Sequence, residues 1–332
     1  MTPDEGGLLP WQTAPWQRLQ RARRSARLPH ALLVTGPAGL GKRRLVDLLA
    51  RSLLCTAPDP EGLPCGRCRD CLLLAAGTHP DRVELGPDPE GKSDEIKVDA
   101  VRRLGETDAL TAHRGGWKLI LIDPAHRMNI SAANSLLKTL EEPAAQTLIC
   151  LITEQPARLP ATIRSRCQIL HLPPPGEDVA IAWLGDRLPQ GDPRVLLCLA
   201  HGAPLAALAL AGRLAERERL LAGFLAVGRG ERDPLAEAAA WSRSELGLLL
   251  DWFAGWLSDL VRLASGQRAP RLINVDKERE LARIAESVPV TAVHRLLQRV
   301  LAARGAQATT VNALLTLESL LTDWAELAER RG

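Results

Sequence analysis

Aromatic residues are nearly missing from this chain: of 332 residues none is Tyr, two are Phe and eight are Trp. With Ala, Leu and Arg abundant, the shortage reads as a coding bias toward GC and carries no functional signal. An excess of one charge is missing as well, since 42 basic and 39 acidic residues leave a net charge of +3. A protein that binds nucleic acid over its whole surface would carry a larger basic excess. Only local patches stay open, such as Arg18, Arg21, Arg23, Arg24 and Arg27 on one expected helix, and a solvated helix face explains that run equally well. No run approaches the ~20 apolar residues of a membrane-crossing helix. Met1 to Pro10 lacks the basic start and apolar stretch of a secretory signal. A cytoplasmic protein with no membrane partner is expected.

What is present supports real cores. Hydrophobic residues make up 46% of a chain too long for one ordinary domain, so two or three domains are expected. In the first half, short apolar runs alternate with helical stretches, the pattern of a parallel α/β sheet. Ala31 to Thr35, Trp117 to Ile122, Leu148 to Thr153 and Gln168 to Leu172 read as strands buried on both faces. Ser131 to Glu142 reads as a helix capped by Ser131 or Asn129 and stopped by Pro143. Pro173, Pro174, Pro175 and Gly176 make the clearest break. Beyond it the pattern is helical throughout: Asp178 to Leu188, Val195 to Ala200, Pro204 to Phe224, Leu246 to Leu263 and Val311 to Leu327. The expected organisation is an α/β domain over residues 1–172, a small helical domain over 173–213 and a helical C-terminal domain over 214–332.

Gly36, four residues, Gly41 and Lys42 follow a strand and open a helix, with Gly39 between them. That is the spacing and setting of a phosphate-binding loop, in which glycines let backbone N–H groups close on phosphates at a helix N-terminus. The next position should be Ser or Thr, whose hydroxyl holds Mg²⁺; here it is Arg43, which has no lone pair to give a metal. Asp123 ends an apolar strand and is placed to face that metal. Pro124 follows it and can do no acid–base work. The loop is expected to be retained without an ordered Mg²⁺, and ATP with Mg²⁺ is not expected in this chain's own site.

Arg166 stands in Ser165-Arg166-Cys167 just before the last strand. An isolated Arg there would ordinarily make a surface ion pair. Its fork of donors also suits phosphate oxygens offered from outside. Together with Leu28 to Leu33 (LPHALL), the phosphate loop and Ala133 to Pro143 (ANSLLKTLEEP), this motif resembles the clamp-loader branch of AAA+ proteins. The similarity covers Leu9 to roughly Leu210. It implies a P-loop AAA+ domain with a parallel sheet, a small helical lid and an all-α collar. It further implies a pentamer with gamma/tau and delta subunits of bacterial DNA polymerase III, which opens a sliding clamp and places it on primer–template DNA. Within that branch the degraded loop resembles the subunit type that does not hydrolyse ATP. By the resemblance Arg166 is an arginine finger serving a neighbour's ATP in trans, and Thr153 matches the sensor 1 position. The sensor 2 motif maps to Gly202 through Leu205, where an active subunit carries Arg in place of Leu205.

Four of the seven cysteines, Cys55, Cys65, Cys68 and Cys71, are spaced C-x9-C-x2-C-x2-C. Four thiolates so spaced can close a tetrahedral structural Zn²⁺ site, and the resemblance also favours zinc. An iron–sulfur centre is the rival, although the Cys-Pro that continues the ferredoxin run is absent after Cys71. His79 is a spare ligand candidate that reads better as a loop residue, whereas Cys150, Cys167 and Cys198 are expected in cores. Two other functions fit parts of the sequence. One is a gamma-like ATPase that hydrolyses ATP itself; the other is a zinc-module nucleic-acid adaptor, which the near-neutral charge opposes.

Overall fold

A computed structural model of the chain describes residues 7–88, 94–105, 112–114, 116–188, 190–266, 271–306 and 312–329. Two compact units form, Met1–Val179 and Ala180–Gly332.

The first unit is built on five parallel strands: β1 (Ala31–Thr35), β2 (Arg82–Leu85), β3 (Lys118–Ile122), β4 (Thr147–Thr153) and β5 (Gln168–His171). Their order is β2-β3-β4-β1-β5. Every residue of β1, β3 and β4 is buried, which is why these three read as continuous apolar runs. Sequence reading missed β2 because RVEL is a four-residue edge strand with charges at alternate positions. Thr35 pairs with Thr153 and Leu85 with Ile122, so the carboxyl ends of β1 to β4 come out along one rim. In open α/β sheets that rim is where ligands bind.

Helices α1 (Thr13–Arg24), α2 (Lys42–Leu54), α3 (Arg69–Ala75), α4 (Val98–Arg102), α5 (Ile130–Glu141) and α6 (Ala161–Arg164) complete this unit. Asn129, not Ser131, caps α5, its side chain accepting from the Ala132 N–H at 2.8 Å. Leu136 and Leu140 of α5 and Ile163 of α6 pack with Leu33, Ile120, Ile122 and Leu151 of the sheet. Helix α1 stops at Arg24, so Arg27 lies beyond it, contrary to expectation.

The helix α7 (Glu177–Gly185) leads into the second unit, where the remaining helices are α8 (Pro193–Leu199), α9 (Pro204–Ala211), α10 (Leu214–Gly228), α11 (Pro234–Trp241), α12 (Leu246–Ala264), α13 (Glu278–Ala285), α14 (Val290–Ala306) and α15 (Ala313–Glu329). The single helix expected over Pro204 to Phe224 is two, broken at Gly212 and Arg213, where glycine is a poor helix former. Val311, the expected start of the last helix, lies outside the described residues. The scarce aromatics turn out to be concentrated here. Both Phe residues, Phe224 and Phe253, pack with Trp241, Trp252, Trp256 and Trp324 in one core. Phe224 and Trp324 stack at 4.4 Å with a 10° interplanar angle, and Trp324 Nε1 donates to the Phe224 carbonyl. Among the described residues no single helix is long and apolar enough to cross a membrane.

Candidate functional site

Glycine shapes the loop between β1 and α2. Gly36, Gly39 and Gly41 take φ of 141°, 75° and 75°, which side-chain-bearing residues rarely adopt. At Gly36 an added Cβ would also lie 2.3 Å from the Leu172 carbonyl oxygen of the neighbouring chain segment. Gly41 caps α2, leaving the first-turn N–H groups facing the loop. Lys42 begins the helix and is buried, its Nζ donating to the Pro37 carbonyl at 2.7 Å and lying 3.4 Å from Glu154. Burial draws the Lys42 pKa down, against the pull of Glu154.

Arg43 does more than fail to bind metal. Its Nε donates to both Asp47 oxygens at 3.1 and 3.2 Å, one terminal nitrogen donates to Glu84, and the other lies 3.5 Å from Asp123 Oδ2. A fixed guanidinium thus stands among three carboxylates, one of them the Asp123 that sequence assigns to the metal. Arg82 adds a second cation, donating to Asp47 at 2.6 Å and pairing with Glu84. Burial pushes the Asp123 and Asp47 pKa values up, with Arg43 opposing in both cases. For Arg43 itself burial lowers the pKa, but Glu84 and Asp47 outweigh it and raise it. Sequence reading missed all three of Asp47, Glu84 and Glu154. The spacing of Arg43 and Asp47, one turn apart on α2, was the available signal for the first; Glu84 was hidden with the strand that carries it.

At the end of β4, Thr153 is fully buried. Its hydroxyl accepts from the Gln155 N–H at 3.0 Å and lies 3.0 Å from His126 Nδ1. Burial, and then the nearby Arg127, hold the His126 pKa below its ordinary value. Gly36, Gly39, Gly41, Lys42, Asp123 and Thr153 therefore belong to one unit and lie along its carboxyl rim.

Arg166 is held elsewhere in that unit. It sits in the turn between α6 and β5, where Nη1 donates to the Thr162 carbonyl at 3.0 Å and Nη2 to Glu141 at the end of α5. Glu141 is a further residue that sequence reading did not single out. Leu205 lies in α9 of the second unit.

The four clustered cysteines converge from three places. Cys55 caps the end of α2, Cys65 and Cys68 lie on the following loop, and Cys71 is in α3. Their sulfurs all lie within 4.8 Å of one another, with Cys55 and Cys68 3.9 Å apart. A tetrahedral ion with metal–sulfur bonds of ~2.3 Å needs sulfurs ~3.8 Å apart, so the set fits a single ion. A multi-iron cluster, with each thiolate on its own iron, would hold them more widely. The N–H groups of Cys65, Cys68 and Cys71 donate to the sulfurs of Cys55, Cys65 and Cys68 at 3.3, 3.4 and 3.4 Å. Burial raises the Cys68 thiol, but the Cys71 N–H and Thr56 outweigh it and bring it to about 6. Burial and Cys68 push Cys71 up to about 12. His79 is not a ligand: it is buried, with Nε2 3.2 Å from Asp70 and Nδ1 accepting from the Asp81 N–H. Cys150 and Cys167 are core thiols, pushed by burial to about 12 and about 11, while Cys198 is half-buried.

Two family models match the chain. One, described as "DNA polymerase III, delta subunit", covers residues 11–176. The other, "DNA polymerase III, delta subunit, C terminal", covers residues 211–326. The chain is 37% identical to DNA polymerase III subunit delta' of Pseudomonas aeruginosa over 329 residues, 96% of this chain and 98% of that protein. It is 36% identical to subunit delta' of Escherichia coli, over 87% of this chain and 86% of that one. Subunit tau of Salmonella typhimurium is 32% identical over 75% of this chain but only 36% of its own length.

Proposed function

Because the chain belongs to the DNA polymerase III subunit delta' family, we propose that it is the non-hydrolysing stator of a clamp loader. In this reading it joins gamma/tau and delta subunits in a cytoplasmic hetero-pentamer that loads the sliding clamp onto primed DNA. Residues 1–172, 173–213 and 214–332 serve as AAA+ domain, lid and collar, and Arg166 reaches the ATP of an adjacent gamma/tau subunit.

The placement of Arg43 carries the proposal. Hydrolysis in a P-loop enzyme needs a divalent ion bridging phosphate oxygens beside the carboxylate that ends the second strand. Here a guanidinium lies 3.5 Å from that carboxylate and is bound by Asp47 and Glu84. A second cation brought to the same place would be repelled by a charge that cannot deprotonate. Pro124 removes the base that would polarise water, and Glu154 lies against the lysine that would contact phosphate. The exposed side of Arg166, by contrast, stays open to a partner.

Zn²⁺ is the ion proposed for Cys55, Cys65, Cys68 and Cys71, as a closed structural site with no vacant position for chemistry. Two measurements test the functional reading. The purified chain should show no ATP turnover above background, and turnover abolished by Lys42→Ala would instead support the gamma-like ATPase. In a reconstituted complex, Arg166→Ala should assemble normally and lower the clamp-stimulated ATPase rate by removing charge stabilisation at one site. An unchanged rate would refute the finger.

A further inference from the structure

Three arginines lie between β4 and β5, and the structure treats them differently. Arg164 is exposed and its side chain makes no hydrogen bond or ion pair among the described residues. Arg158 is exposed and among the described residues its side chain reaches only Gln155 Oε1, at 3.4 Å. Arg166 alone of the three is clamped at two points, by the Thr162 carbonyl and by the Glu141 carboxylate.

The clamp is rigid because its two jaws are. Glu141 is the last residue of α5, whose Leu136 and Leu140 are buried against the sheet; Thr162 is in α6, whose Ile163 is buried in the same cluster. The jaws also leave the guanidinium usable. Arginine has five N–H donors in a fixed fork. Thr162 takes one on Nη1 and Glu141 one on Nη2, so three remain, including the one on Nε. With the side chain 36% exposed, those donors have room for a ligand. Only one carboxylate oxygen is engaged, so Glu141 does not make the bidentate grip that would compete with phosphate.

We propose that Glu141 is a positioning residue for Arg166, holding the guanidinium in place so that its free donors meet a phosphate supplied by the neighbouring subunit. This rests on the finger reading of Arg166. Arg freezes several rotatable bonds when it docks; Glu141 makes part of that ordering happen within the chain, before the partner arrives. The contact is half-exposed and adds little to folding, so its value lies in orientation.

The test uses the complex reconstituted with gamma/tau, delta, clamp and primed DNA, comparing Glu141→Ala, Glu141→Gln, Arg166→Ala and the double alanine chain. The readout is the Arg166-dependent part of the ATPase rate, the difference between wild type and Arg166→Ala. Glu141→Ala should lower that part about five- to tenfold, within the roughly thirtyfold ceiling of arginine rotamer entropy. The KM for ATP should not rise, because a nearby negative charge is removed. Glu141→Gln keeps an acceptor oxygen and should keep most of the rate. The double variant should be no slower than Arg166→Ala alone. A wild-type rate for Glu141→Ala, with Arg166→Ala impaired, overturns the positioning role; so does a full additional loss in the double variant. If Arg166→Ala itself has no effect, the finger reading fails first. Assembly is measured for each chain, and if the alanine variant assembles poorly, Glu141→Asp, too short by one methylene to reach, replaces it.

Discussion

Replacing Arg43 with the threonine of a working phosphate loop should make the first unit's stability depend on Mg²⁺. In the native chain Arg43 pairs with Asp47, Glu84 and Asp123 at once. Arg43→Thr leaves Arg82 to serve Asp47 and Glu84, and Lys42 as the nearest cation to Asp123. The four groups are between 24% and 43% exposed. At that exposure solvent screens each contact, and each of the three is worth about 0.2–1 kcal/mol. With Arg82 compensating in part, a loss of about 1–2 kcal/mol is expected, or roughly 3–6 °C for a domain of this size. The change in helix propensity is smaller, a few tenths of a kcal/mol. The vacated space then holds a hydroxyl beside Asp123, an oxygen set suited to Mg²⁺. At a concentration ten times its Kd, Mg²⁺ would restore about 1.4 kcal/mol. Calorimetry in chelator-free buffer without Mg²⁺ and in millimolar MgCl₂, which leaves the cysteine site undisturbed, measures both effects, with Ca²⁺ and NaCl as controls for general screening. Wild type should melt identically in the two buffers. If the variant's transition does not shift with Mg²⁺, or if wild type shifts as much, Arg43 is not standing in for the metal.

Other expectations are independent of that site. Metal analysis should find one zinc per chain, and Cys68→Ser or a strong chelator should destabilise the first unit, since structural zinc contributes directly to folding; a metal-free, equally stable chain would remove the zinc assignment. His126 should make the first unit less stable in mild acid. Its folded pKa lies below the ordinary 6.5, so between the two values the unfolded chain takes up a proton that the folded chain refuses. Stability from this group is complete above 6.5 and lost as pH falls toward the folded value. His126→Asn should flatten urea-derived stability across that range. In the second unit, an alanine Cβ at Gly228 would lie 2.7 Å from Trp324 Cζ2. The displaced stack should cost about 1–3 kcal/mol, more than the ~1 kcal/mol gained in helix propensity; a stabilised Gly228→Ala would contradict that ranking.

Elements set by local pattern were legible in the sequence. Strands buried on both faces leave unbroken apolar runs, and for that reason β1, β3 and β4 were found to within a residue. The phosphate loop was legible because glycine is forced at positions of positive φ, and the four cysteines because chance does not space thiols that way. What the sequence hid was partnership. Asp47 lies on α2, Glu84 on β2 and Asp123 just past β3, and no spacing rule announces that one arginine will meet all three. The same holds for Glu141 with Arg166, and for His126 with Thr153. His79 was legible as a loop residue, but that its ring would be taken up by Asp70 and the Asp81 N–H was not. Aromatic scarcity was read as bias, and composition could not say that both Phe and four of the Trp would fill a single core. By itself the sequence determined that Arg43 and Pro124 stand where a working loop carries a metal-binding hydroxyl and a base, because residue identity is read directly from the chain. That the arginine takes a position beside the metal's own carboxylate was decided by the parallel sheet, which brings the ends of separate strands to one rim.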